Sequence, residues 1–194
     1  MVADGADGGQ ARMSDEQTGD GAQIYGSVLK ALALHLHRHG LSLEEAGRKA
    51  GVTVPPTAAI FSRFFALSDF AHLLEQSAKL LNDEYIGLRF GGLADNGPVH
   101  PLMLAIGYAP TPRIALETIA AQHRSLIDLT DCATRTGPRK MELVWRLSPR
   151  IVLQDQLVDR IAGALALRLT DVLGPEIMRQ VEFQLARPRP ADLK

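Results

Sequence analysis

Cysteine is nearly missing from this chain: Cys132 is the only one in 194 residues. No intramolecular disulfide can form, which excludes a disulfide-stapled scaffold and suits a reducing cytoplasm. Charge of one sign is missing too. The 21 basic and 22 acidic residues leave a formal net charge of −1, so no overall field favours nucleic acid and no basic stripe is visible. No apolar run reaches the ~18 residues of a membrane span. The N-terminus is acidic and glycine-rich, the reverse of a signal peptide's basic-then-apolar order. Neither a G-x-S-x-G elbow nor a phosphate-cradling G-x-G-x-x-G or G-x-x-x-x-G-K-[ST] loop occurs. These absences point to a soluble cytoplasmic protein with no catalytic residue, bound metal or cofactor, and no membrane association.

What is present suffices for a sizeable core, since 46% of residues are hydrophobic. Residues 1–20 (MVADGADGGQARMSDEQTGD) contain too few large apolar side chains to offset backbone ordering, and are expected to form a disordered tail. Residues 21–194 are expected to form one domain. From Ile24 to His39 the apolar residues Ile24, Val28, Leu32 and Leu36 recur at helical spacing, broadened by Ala31 and Leu34. Gly40 ends that helix. Ser42 followed by Glu45 opens a second helix, Leu43 to about Ala50, closed by Gly51. Ser68 is the expected cap of a third, whose face is Phe70, Leu73, Leu74, Ser77, Leu80 and Leu81. A glycine-rich loop from Gly91-Gly92 to Gly97-Pro98 comes next. Val99–Tyr108, without a charge, reads as a short buried helix. Thr111-Pro112 starts another, with Ile114, Leu116, Ile119 and Ala120 facing inward.

The period then changes to two. Met141, Leu143, Trp145 and Leu147 alternate with Glu142, Val144 and Arg146, as in a half-buried strand. Residues 126–134 read as its partner across Gly137-Pro138. A helix through Leu157, Ile161, Leu165, Leu169 and Val172 ends at Gly174-Pro175, and Val181, Phe183 and Leu185 suggest a last strand. The fold class is therefore α+β: a helical N-terminal half, then strand–strand–helix–strand, forming a small antiparallel sheet packed against helices.

Few residues invite chemistry. His35 and His39 lie four apart on one helix, but Leu36 stands where a metallopeptidase needs glutamate and no third ligand is near; solvated histidines beside Lys30 and Arg38 are the simpler reading. Cys132 and His123 share only proximity in sequence, and a lone strand cysteine is ordinarily a small packing residue. GLSLEEAGRKAGVTVPP at 40–56 looks like the start of a helix-turn-helix, yet two prolines and an apolar stretch with only Arg63 basic follow it. The remaining candidates line apolar stripes with polar or aromatic tips: Tyr108, His123, Arg124 and Trp145, a set suited to a ligand pocket. Ordinary packing or solvent exposure explains each of them as well. By themselves the residues describe a soluble mixed domain with no evident catalytic site.

Two blocks add more. LSDFAHLLEQSAKLLNDEYIGLRFGG at 67–92 and AIGYAPTPRIALETIAAQHR at 105–124 resemble, in this order, the N-terminal effector-sensing (arabinose-binding-type) domain of AraC-type bacterial transcription regulators. That group shows L-x-x-F-x-x-L-L-E-x-A-A-x-L-x-x-D-x-x-x-G-L-R-x-G, then G-Y-x-x-x-x-S-x-T-L-x-x-A-L. VEFQLARPRPADL at 181–193 resembles its V-x-F-x-H-P-x-P-x-D block, with Ala186-Arg187 replacing the usual small–His pair. The resemblance runs from about residue 24 to 193. It implies a domain that binds a small-molecule effector or forms a homodimer, and passes that state to a C-terminal domain of two helix-turn-helix units, through which alone DNA is contacted. Nothing like a recognition helix follows Lys194, so the expectation is an isolated sensing domain, excised or a fragment. An amphipathic, anionic effector is expected from Arg124 and His123. A dimerisation module without effector, a stand-alone ligand-binding protein and an enzyme on this scaffold stay open as alternatives.

Overall fold

The first described element is a strand where a helix is expected. The computed structural model describes residues 21–56, 64–92, 101–138 and 140–186; the expected tail at 1–20 lies outside them. Strand β1 (Gln23–Tyr25) pairs antiparallel with β2 (Phe64–Ala66), with Ile24 opposite Phe65. Its other edge meets residues 126–128: Tyr25 N–H donates to the Leu126 carbonyl at 2.8 Å and Asp128 N–H to the Gln23 carbonyl at 2.7 Å. Ile24 is buried, as the helical spacing implied, but a three-residue strand is too short to display a period of two.

Helix α1 (Ser27–Arg38) buries Val28, Leu29, Leu32, His35 and Leu36. Burying each large aliphatic side chain contributes roughly 1.5–3 kcal/mol. Leu34 lies outside this stripe and is exposed, because it sits on the opposite face from Leu32 and Leu36. Helix α2 (Leu43–Ala50) starts as its sequence demands: the Ser42 hydroxyl accepts from Glu45 N–H at 3.0 Å. It ends at Gly51 in the left-handed region, φ 69°, where a Cβ would be penalised. The next described residues, 52–56, are not helical, so no recognition helix follows α2 among them.

Helix α3 (Leu67–Leu81) begins earlier than expected. Ala66 occupies the cap position, with no side-chain bond, and Ser68 is already inside the first turn. The chain enters directly from β2, and Leu67 N–H is taken up by the Ala22 carbonyl at 3.0 Å. Ser77, the polar break in the apolar face, is fully buried and donates to the Leu73 carbonyl at 2.7 Å, so no hydrogen-bonding group is stranded. Asn82 closes the helix in the left-handed conformation.

Gly91 and Gly92, expected in a loop, belong to helix α4 (Ile86–Gly92). This helix lies against α7 (Asp155–Met178), which breaks where expected, at Gly174 with φ 75°. Between them run α5 (Pro101–Gly107), α6 (Pro112–Gln122), a single 3-10 turn (His123–Ser125), and the hairpin of β3 (Asp131–Thr136) and β4 (Met141–Arg146). Thr111 caps α6 by accepting from Ile114 N–H at 3.3 Å. The antiparallel hairpin sets Cys132 opposite Trp145 and Thr134 opposite Leu143.

Four further expectations need correction. Helix α5 is buried on one side only: Leu102 and Ile106 are enclosed, whereas Leu104 and Tyr108 are exposed. Lack of charge signalled burial, but a short helix against one neighbour covers a single stripe. On α6 Ile119 is enclosed as expected and Leu116 packs partly buried beside it, but Ala115 is enclosed in place of Ile114, which is exposed; Ala115 and Ile119 lie one turn apart on one face, and Ile114 falls on its flank. Strand β3 starts at Asp131, since residues 126–128 are engaged with β1. Residues 181–186 form no strand: Val181, Phe183 and Leu185 alternate, but the Val181 N–H is taken up by the Met178 carbonyl at 3.1 Å as the chain leaves α7, and alternation alone does not supply a partner strand. The class is α+β, two small antiparallel sheets packed on helices.

Candidate functional site

The four residues singled out from sequence are not brought into one cluster by any described contact. Tyr108, just past α5, is 84% exposed. Arg124 lies exposed in the 3-10 turn. Trp145 on β4 is partly buried and packs on the main core with Cys132 and Leu147. His123 is the most constrained. Its Nδ1 lies 3.0 Å from the Ala120 carbonyl and its buried Nε2 finds no partner among the described residues.

A second place, which sequence reasoning passed over, lies where α1, α4 and α7 meet. Gly87 and Gly91 occur four apart on α4 and face the backbone of α7. A Cβ on Gly87 would lie 2.1 Å from the Gln156 carbonyl oxygen, and one on Gly91 2.6 Å from that of Arg160. This close approach excludes side chains along the contact and leaves its hydrogen bonding to Gln156. The Gln156 amide oxygen accepts from Gly87 N–H at 2.9 Å, and its nitrogen donates to the Glu84 carbonyl at 2.8 Å. Its own backbone N–H donates to Glu75 Oε1 at 3.0 Å.

One turn along α7, Arg160 holds its guanidinium 4.7 Å from the centre of the Phe90 ring. The Arg160 Nε is enclosed and has no hydrogen-bond partner among the described residues. Burial foremost, and then the like charge of Arg168, lowers its pKa to about 10, so it still carries its charge at neutral pH. A cation over an aromatic face gains about 0.5–2 kcal/mol, and because Arg160 is only partly buried solvent offsets much of the cost of its unpaired Nε. The carboxylates near it are engaged elsewhere: Glu75 on Gln156, Asp83 on Arg89 at 3.2 Å and on Tyr85 N–H at 3.0 Å, and the buried Asp159 has an interaction of its own.

His35 also lies beside Phe90, with ring centres 6.4 Å apart, and beside His39 at 4.8 Å, each pair of rings tilted by 48°. It is therefore not solvated: it is 8% exposed and its Nε2 is buried without a partner. Burial first, then His39, holds its pKa below 6.5. The buried Tyr85 hydroxyl, at the turn into α4, also finds no partner. The G-x-x-x-G spacing of Gly87 and Gly91 was the available sequence signal for this contact; Arg160 gave none, because an arginine beside Leu157 and Ile161 reads as a solvated residue.

Among the described residues no three of His, Cys, Asp and Glu are grouped to hold a metal ion. No helix there is long and apolar enough to cross a membrane. A comparison with curated proteins finds no match. Residues 40–194, most of the chain, match the family described as the arabinose-binding domain of AraC transcription regulators, N-terminal. That family consists of ligand-binding domains of regulators and is not an enzyme family. The chain belongs to the N-terminal arabinose-binding domain family of AraC transcription regulators.

Proposed function

We propose that this chain is the effector-sensing part of an AraC-type regulator, binding a small molecule and relaying its presence to a DNA-binding domain. The observation that carries this reading is the family match over residues 40–194. The relay is a population shift: an effector displaces the equilibrium only by the difference in its affinity for two arrangements of the domain. No step of this function needs catalysis, a metal or a cofactor, and DNA is contacted only through the partner domain. Cytoplasmic residence in a bacterium follows from the same role.

Tyr108, His123, Arg124 and Trp145 are offered as ligand-contacting residues, with His123 foremost because its enclosed Nε2 is open to a hydrogen bond. The test is a fusion of this chain to an AraC-type DNA-binding domain driving a reporter. Output that responds saturably to one class of metabolite, and loses the response when residues 40–194 are deleted, supports the sensor. Output indifferent to every metabolite contradicts it.

A homodimer is the second element of this reading. Leu104 and Tyr108, four apart at α5, and Ile114 on α6 are large side chains held in solvent, and a second copy that covered them would remove that apolar surface from water. Sedimentation equilibrium tests it: Leu104→Glu and Tyr108→Glu are expected to dissociate the dimer, and a wild-type monomer at all concentrations removes the proposal.

A further inference from the structure

Among the described residues Arg160 is a charged group without a counter-charge. Gln156 closes the α4–α7 contact, Glu75 and Asp83 are occupied, and among the described residues the charge acting on the Arg160 guanidinium is that of the repelling Arg168. Arg168 has its own partner in Asp171 at 3.5 Å. Phe90 supplies a π face but no acceptor. His35, buried beside the same ring with centres 6.4 Å apart, also has an enclosed Nε2 without a partner among the described residues. Arg160 keeps part of its surface in solvent although its Nε is enclosed, so a solute can approach it.

We propose that Arg160, set over Phe90 and facing α4, is the anion receptor of this domain and takes the carboxylate of a singly charged organic effector. This rests on the sensor reading and adds the chemical class of its ligand. A guanidinium offers a planar fork that matches a carboxylate by two parallel hydrogen bonds. The charge count favours a monocarboxylate. One unpaired cation balances one negative charge, and a phosphate dianion would leave the second uncompensated among apolar side chains. Phe90, itself buried, holds the guanidinium from one side, and the part of Arg160 left in solvent receives the carboxylate.

The test is the thermal unfolding of the whole chain at constant ionic strength, with sodium benzoate, sodium hexanoate, their neutral amides benzamide and hexanamide, and inorganic phosphate. At a hundredfold excess over the dissociation constant, a carboxylate is expected to raise Tm saturably by about 5–10 °C, and the amides and phosphate to leave it unchanged. Arg160→Met keeps the stem over Phe90 and removes the charge; it is expected to match or exceed the ligand-free Tm of the wild type and to abolish the shift. Arg160→Lys, which keeps charge but not the fork, is expected to bind the carboxylate at least tenfold more weakly. An Arg160→Met chain that fails to fold, or is much less stable, would mean that the arginine has a structural partner, and overturns the proposal. Equal shifts with acid and amide, a shift with phosphate alone, or no shift with either carboxylate overturn it as well. The sensor reading falls separately, only if the reporter fusion answers to no metabolite.

Discussion

The side-chain amide of Gln156 caps the start of α4 by accepting from Gly87 N–H at 2.9 Å, while the Gln156 carbonyl occupies the space where a Cβ on Gly87 would lie, 2.1 Å away. One residue thus satisfies an otherwise orphaned helix N–H, and its partner must be glycine for the two helices to come that close.

Replacing either residue should loosen this contact. Gln156→Leu leaves Gly87 N–H and the Glu84 carbonyl without partners and is expected to cost about 2–4 kcal/mol. Gly87→Ala and Gly91→Ala meet backbone atoms that cannot step aside and are each expected to cost about 1–3 kcal/mol or more. Gly107→Ala, with nothing within 4 Å of the added Cβ, is the control, expected to be neutral or slightly stabilising. Urea midpoints of the variants check this. Equal effects at Gly87 and Gly107 would contradict the packing described.

Acid should weaken the fold through His35. Burial, followed by His39, depresses its pKa below 6.5, so the folded state prefers neutral imidazole. As pH falls through that value the unfolded chain binds the proton first, and stability drops; above it the contribution is complete. The wild-type urea midpoint is expected to fall between about pH 7.5 and pH 5.5, a range above most carboxylate titration. His35→Leu should remove most of that slope. An unchanged slope in the variant would place the titrating group elsewhere.

Cys132 should be a sluggish thiol. Burial, and then the adjacent Asp131, raises its pKa from 9.0 to about 11. The thiolate, the reactive form, is then about a hundredfold scarcer than at an ordinary cysteine. Labelling with a disulfide reagent at neutral pH is expected to be slow in the native chain and rapid in denaturant. Equal rates would show that strand β3 does not shield it.

How much of this was legible depended on the range of the interaction. Ser42 and Thr111 were read correctly as caps because a cap is a bond to the residue three positions on. Gly174-Pro175 likewise marked its break locally. The α+β class followed from a change of period near Met141. Strand β1 was not legible: it pairs with residues some forty positions away, through three residues whose spacing merges with that of α1. The final strand failed for the converse reason: Val181, Phe183 and Leu185 alternate but pair with no strand among the described residues. His35 and Arg160 were missed because charge and polarity predict solvent, and only the assembled α1–α4–α7 contact encloses them. Gly87 and Gly91 were visible, but Gly91-Gly92 was taken for a loop when its spacing to Gly87 signals helices in close contact.

The central claim, that this domain binds a small effector, is tested most directly by calorimetric titration of the chain with small metabolites, monocarboxylates first. The expected result is saturable binding of one molecule per chain, confined to one chemical class, with a matching rise in Tm. No saturable binding across the library, together with a stable dimer, would contradict it and identify the chain as a dimerisation module.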